Sequence, residues 1–158
     1  MTFCRPRLRA GIAAAAVLGF FALTPPPAVL ASDVGQIKVS KGAVHIERGD
    51  QKLPGQVGTR VQQSDVVVTG ADGSAGIAFM DDSLLSVGPN SVLAIDRFEF
   101  DSTTHRGAFD SSLKKGTLAA VSGKLAKQSP EVMKVRTPAA VLGVRGTEFV
   151  VRTSGSAD

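Results

Sequence analysis

Between Asp33 and Arg152 no apolar run lasts more than a few residues before Gly, Pro, Asn or Asp cuts it, a rhythm that commits the chain to many short strands. Ile37 and Val39 alternate with Gln36, Lys38 and Ser40, and Val44 and Ile46 alternate with His45 and Glu47, so each pair is expected to face a core. Pro54 lacks a donor and keeps Leu53-Pro54-Gly55 out of a central strand. Val66 to Thr69 is β-branched throughout and closes on Gly70-Ala71-Asp72-Gly73. Ala75, Ile77 and Phe79 then alternate up to a tight turn at Asp81-Asp82-Ser83. Leu85 and Val87 follow, which predicts a hairpin. Leu93 and Ile95 occupy odd positions while Phe98 and Phe100 occupy even ones, so a bulge is expected near Asp96-Arg97. Residues 101–107 read as an exposed loop. Further strands are expected at Ser112 to Leu118, at Met133 with Val135, at Val141 to Val144 and at Phe149 with Val151. Leu118 to Ala126 is read as strand, with a short helix as the alternative that Gly123 and the flanking lysines weaken.

Length and composition allow one domain. The chain has 158 residues, 43% apolar and 20% charged, too apolar for general disorder and too short for a multidomain enzyme. Residues 1–31 read as a Sec-type signal peptide: a basic stretch to Arg9, an apolar run from Ala10 to Leu23, and small residues ending at Ala31. That run is fourteen residues, short of the roughly 20 a membrane span requires, so no stable span is expected once the leader is removed. The division expected is a leader at 1–31, a β domain at 32–152 and a flexible tail at 153–158, in a periplasmic or secreted protein. The only cysteine, Cys4, leaves with the leader and would have been the sole thiol. Arg5, Arg7 and Arg9 leave with it too, so 18 basic residues against 14 acidic become 15 against 14. A near-neutral domain without Trp or Tyr is a poor nucleic-acid ligand, and no such partner is expected.

The ordered set of turns and strands resembles the FecR-like domain, the periplasmic module of bacterial ferric-citrate-type signalling regulators. The residues that carry the resemblance begin with Lys41-Gly42-Ala43-Val44, Gln56-Val57-Gly58 and Ser64-Asp65 through Thr69-Gly70. They continue with Gly73-Ser74-Ala75, Asp82-Ser83-Leu84-Leu85, Pro89-Asn90-Ser91 and Leu113-Lys114-Lys115-Gly116. They close with Val135-Arg136-Thr137-Pro138 and the run from Val144 through Arg145-Gly146-Thr147 to Val151. Family members usually carry Asp-Gly where this chain has Asp82-Ser83. The resemblance implies an all-β, jelly-roll-like β-sandwich of short antiparallel strands. Regulators of this kind also have a cytoplasmic segment that handles a sigma factor; nine residues precede the apolar run here, and no anti-sigma role is expected.

Chemistry is sparse. Asp81, Asp82, Asp96, Glu99 and Asp101 are the densest acids and read as turn and solvent-facing positions, since the spaced acids of a calcium loop are absent. His45 and His105 fall short of a zinc set, and no Gly-x-Ser-x-Gly elbow is present. Catalysis, metal and cofactor are therefore not expected. The most pointed feature is Arg145-Gly146-Thr147: Arg145 either meets an anion or partner carboxylate, or pairs internally with an acid such as Asp65 while Gly146 supplies a bend. Lys114, Lys115, Lys124 and Lys127 form a basic stretch suited to an anionic surface. The functional expectation is a non-enzymatic interaction, sensing or scaffolding module of the bacterial envelope with a protein partner. The rivals are a carbohydrate or cell-wall polymer binding module, and a hydrolase built on Asp81 and Asp82.

Overall fold

The computed structural model describes residues 32–144 and 148–155. The expected leader, Arg145, Gly146, Thr147 and the last three residues of the expected tail lie outside the described residues. The strands are β1 (Asp33–Lys41), β2 (Val44–Arg48), β3 (Gln51–Pro54), β4 (Arg60–Gln62), β5 (Val66–Thr69), β6 (Ser74–Phe79) and β7 (Leu84–Val87). They continue with β8 (Val92–Phe100), β9 (Gly107–Val121), β10 (Met133–Arg136), β11 (Val141–Gly143) and β12 (Glu148–Thr153). A helix, α1 (Lys124–Gln128), and a 3-10 turn, Pro130–Val132, separate β9 from β10.

The strands form one curled sheet with two leaves that share β9. The first leaf runs β4-β1-β6-β7-β9-β12 and the second runs β3-β2-β5-β8-β9-β10-β11. Residues Gly107 to Lys115 of β9 pair with β8, whereas Leu118 to Val121 pair with β7. The change of leaf shows in the burial: Phe109, Ser111 and Leu113 point inward on one side of Gly116, Leu118 and Ala120 on the other. Gly116 makes this shift of phase with φ +95°, a conformation that costs an L side chain. Three phenylalanines close the core between the leaves. Phe79 of β6 lies 5.5 Å from Phe98 of β8 and 4.6 Å from Phe109 of β9 by ring centroids, and the latter two are 5.2 Å apart and edge-on.

The all-β reading holds, and so do the hairpin of β6 and β7 and the bulge in β8, which falls between Ile95 and Arg97. Five elements differ from expectation, the first being β4 over Arg60–Gln62, which no expected strand covers. Val39 does not face the core; a register shift between Ile37 and Val39 turns it to the outside of the first leaf. Leu118 to Ala126 is neither one strand nor one helix: β9 continues to Val121, and α1 buries Leu125 and Ala126. β10 pairs parallel to β9, not antiparallel, and a parallel neighbour requires the crossover that α1 and the 3-10 turn provide. Thr153, assigned to the tail, is the last residue of β12 and pairs with Gly116.

Candidate interaction surface

The acidic positions are occupied by local partners. Asp81 is buried, and its carboxylate accepts Ser83 N–H at 3.1 Å and Ser83 Oγ–H at 2.6 Å. Ser83 Oγ in turn accepts Gly123 N–H at 2.9 Å, and Lys124 N–H donates to the Asp81 carbonyl at 2.7 Å. The turn between β6 and β7 is thereby clamped to the start of α1. Asp96 accepts a hydrogen bond from Ser112 Oγ. The Arg97 guanidinium holds the Glu99 carboxyl below its ordinary value through a hydrogen bond and its charge. Asp101 is likewise lowered, first by Thr103 N–H and then by Thr104. His45 lies 3.4 Å from Glu47 on β2, and His105 stacks on Phe100 in the exposed 101–106 turn. Among the described residues no group of three His, Cys, Asp or Glu side chains is placed to hold a metal.

The basic positions separate. Lys114 and Lys115 are exposed beside the Gly116 bend. Lys124 and Lys127 sit on α1, beyond the far end of β9, so about 20 Å of extended chain, at roughly 3.3 Å per residue, lies between the two pairs. Lys124 donates to Asp82 at 2.8 Å and holds that carboxyl below its ordinary value by hydrogen bond and charge. Asp65, offered above as a partner for Arg145, is taken by Arg48, with Nη2 to Oδ2 at 2.7 Å and Nε to Oδ1 at 2.8 Å.

The most organised exposed feature was not found from sequence. It is the outer face of the first leaf. Register aligns Ala78, Leu84 and Val121 in one row and Val39, Gly76, Ser86, Ala119 and Val150 in the next. A Cβ built on Gly76 would meet Val39 Cβ at 3.2 Å, which puts both on this side. Val39 and Leu84 are each 49% exposed, Val121 40% and Val150 66%. An antiparallel sheet with one wet face normally shows polar residues there. Here five strands, spanning roughly 19 Å at about 4.8 Å per step, present aliphatic and small side chains. Among the described residues, charge stands at the margins of these rows: Glu148 beside Val121, Lys41 and Arg152 in the row of Ser74 and Thr117, and, past Ala78, Arg60 opposite Gln36 with Lys38 bonded to Gln36.

Such a fold defines an all-β domain whose first leaf presents a largely uncharged outer face. A family model described as FecR protein matches residues 65–157, from Asp65 before β5 through β12. The chain belongs to the FecR family, a family of regulatory signalling domains of the bacterial envelope. No curated protein and no solved structure matches the chain. The motifs at 41–64 precede the matched stretch, yet their strands are integral to the fold: β1 pairs with β6, and β2 with β5.

Proposed function

We propose that the protein is an exported, non-enzymatic module that binds an envelope protein partner through the outer face of the first leaf. The observation that carries this reading is the uncharged pair of rows centred on Leu84 and Ala119, because contiguous apolar surface on a soluble domain marks an interaction site. Interface cores are depleted of charge and rimmed by it, the arrangement of Glu148, Lys41 and Arg152 around these rows. A glycan site is less well supported, since the sequence has no Trp or Tyr to stack on a sugar ring.

A photo-crosslinking residue at Leu84 tests the reading, with one at Lys134 on the second leaf as its counterpart. A discrete adduct is expected from position 84 in cells and none from 134. With the crosslinking residue kept at 84, Val39→Asp on the same face is expected to remove the adduct while shifting stability by no more than about 0.5 kcal/mol, as exposed surface substitutions do. Equal adducts from both positions, or none from either, would overturn the face assignment.

Export rests on the leader. Cleavage after Ala31 gives a mature chain beginning at Ser32, to be read as the intact mass of protein released by osmotic shock. Recovery with Met1 to Ala31 attached contradicts that expectation.

A further inference from the structure

Sheet edges invite pairing, and natural proteins blunt them with short strands, Lys or Pro. Three edges of this fold are blunted. β3 carries Lys52 and Pro54, while β4 and β11 are three residues each. β12 is not: it has six residues, Glu-Phe-Val-Val-Arg-Thr, and among the described residues it pairs on one side only, with β9.

That open edge is self-complementary. We propose that β12 pairs antiparallel with β12 of a second copy, with Val150 on the two-fold axis. In this register Glu148 stands opposite Arg152 of the second copy and Arg152 opposite its Glu148, so two ion pairs form from one symmetric contact. Phe149 falls opposite Val151 of the second copy on the inner side. Both are half-buried, and both line a cleft of about 250 Å³ that includes Leu142 and Val144 at its other wall. Centring the pair on Phe149 would set Glu148 against Val150, and centring it on Val151 would set Val150 against Arg152. Neither matches charge. A shift by one residue between the strands would set outward side chains against inward ones. Among the described residues neither Glu148 nor Arg152 makes an ion pair within its own chain. The pairing joins two first leaves into one continuous sheet and sets their outer faces side by side. It stands on the edge alone and does not depend on the partner reading above.

Sedimentation velocity of the purified protein over a concentration series tests the proposal, together with amide exchange of residues 148–153. The parent is expected to show a reversible dimer and slower exchange in β12 as concentration rises. Glu148→Arg and Arg152→Glu each set like charges opposite one another and are expected to weaken the dimer about tenfold, two pairs being reversed at once. Mixing the two single variants restores opposite charges at both positions and is expected to return association to the parental level as a heterodimer. Both side chains are exposed, so melting temperature should be unchanged in each variant at concentrations where the parent is monomeric. Val39→Asp, which tests the partner face, is expected to leave the dimer intact. A parent that stays monomeric at every concentration, a dimer indifferent to both single variants, or a mixture that fails to recover association would each overturn it.

Discussion

Gly116→Ala is expected to cost about 4 kcal/mol of stability, enough to leave a domain of this size marginal. Two effects add. An L residue at φ +95° costs roughly 1 to 2 kcal/mol. The new Cβ would also stand 2.5 Å from Ser91 Cα and Cβ, backbone and near-backbone atoms that cannot swing aside. Ser91 is the centre of a buried relay: its Oγ accepts Thr117 N–H at 2.9 Å and donates to the Pro89 carbonyl at 3.1 Å, and its N–H donates to Thr69 Oγ1 at 2.9 Å. Thr69 Oγ1–H closes the relay on the Gly88 carbonyl at 2.6 Å. Displacing Ser91 strains several of these bonds, each contributing about 1 kcal/mol. Urea unfolding gives the cost directly, and Gly49→Ala is the control: Gly49 also has positive φ, at +57°, but nothing lies within 4 Å of its added Cβ. Gly116→Ala within about 1 kcal/mol of Gly49→Ala would mean that the bend tolerates a side chain and that the leaves are not joined through a crowded hinge.

The same bend marks where local reading stops. Ala75, Ile77 and Phe79 alternate with Gly76, Ala78 and Met80 in the sequence, and all three are buried, because a hairpin strand keeps its phase from end to end. Val39 broke that rule since its bulge is set by how β1 meets β6, a relation absent from the five residues around it. β4 passed unnoticed for a similar reason. Arg60-Val61-Gln62 contains one apolar residue, and only Val61 entering the core beside β1 makes it a strand. The outer face of the first leaf was hidden more thoroughly, because Gly76, Ser86 and Ala119 are unremarkable residues on three strands that register alone brings into line. A signal did exist. Leu84-Leu85, Ala119-Ala120-Val121 and Phe149-Val150-Val151 are apolar at both parities, the pattern of strands covered on both faces, whereas a strand with one wet face alternates. The lysines illustrate the opposite sense. Lys115 and Lys124 are nine positions apart in sequence, but a strand turns that spacing into length, where a helix would have gathered the charges on one side.

Arg48→Ala is expected to cost about 2 to 3 kcal/mol. Asp65 is fully buried, and three donors converge on its carboxylate: Arg48 Nε at 2.8 Å, Arg48 Nη2 at 2.7 Å and Gln62 N–H at 2.8 Å. Arg48 Nη2 also reaches the Arg60 carbonyl at 3.0 Å, so one guanidinium on β2 ties β4 to the start of β5. Removing it leaves a buried charge with a single amide donor. Breaking such a pair costs roughly 3 to 5 kcal/mol when both groups are sealed from water. The Arg48 side chain is 31% exposed, so water enters the space it vacates and the figure falls toward the lower end. Asp65 raises the Arg48 pKa above its ordinary value by accepting its hydrogen bond. A raised basic group lends stability below its unfolded value and loses it only as pH climbs through the folded one, so between pH 6 and 9, roughly, the guanidinium adds no slope with pH. Arg48→Lys keeps the charge but gives up the two-pronged contact, and should recover part of the loss. Because Arg48 lies on the second leaf, the variant should lose melting temperature while the adduct formed at position 84 survives at a temperature where it is folded. An Arg48→Ala protein as stable as the parent would show that water or another cation satisfies Asp65, and the clamp would no longer explain why β4 and β5 hold together there.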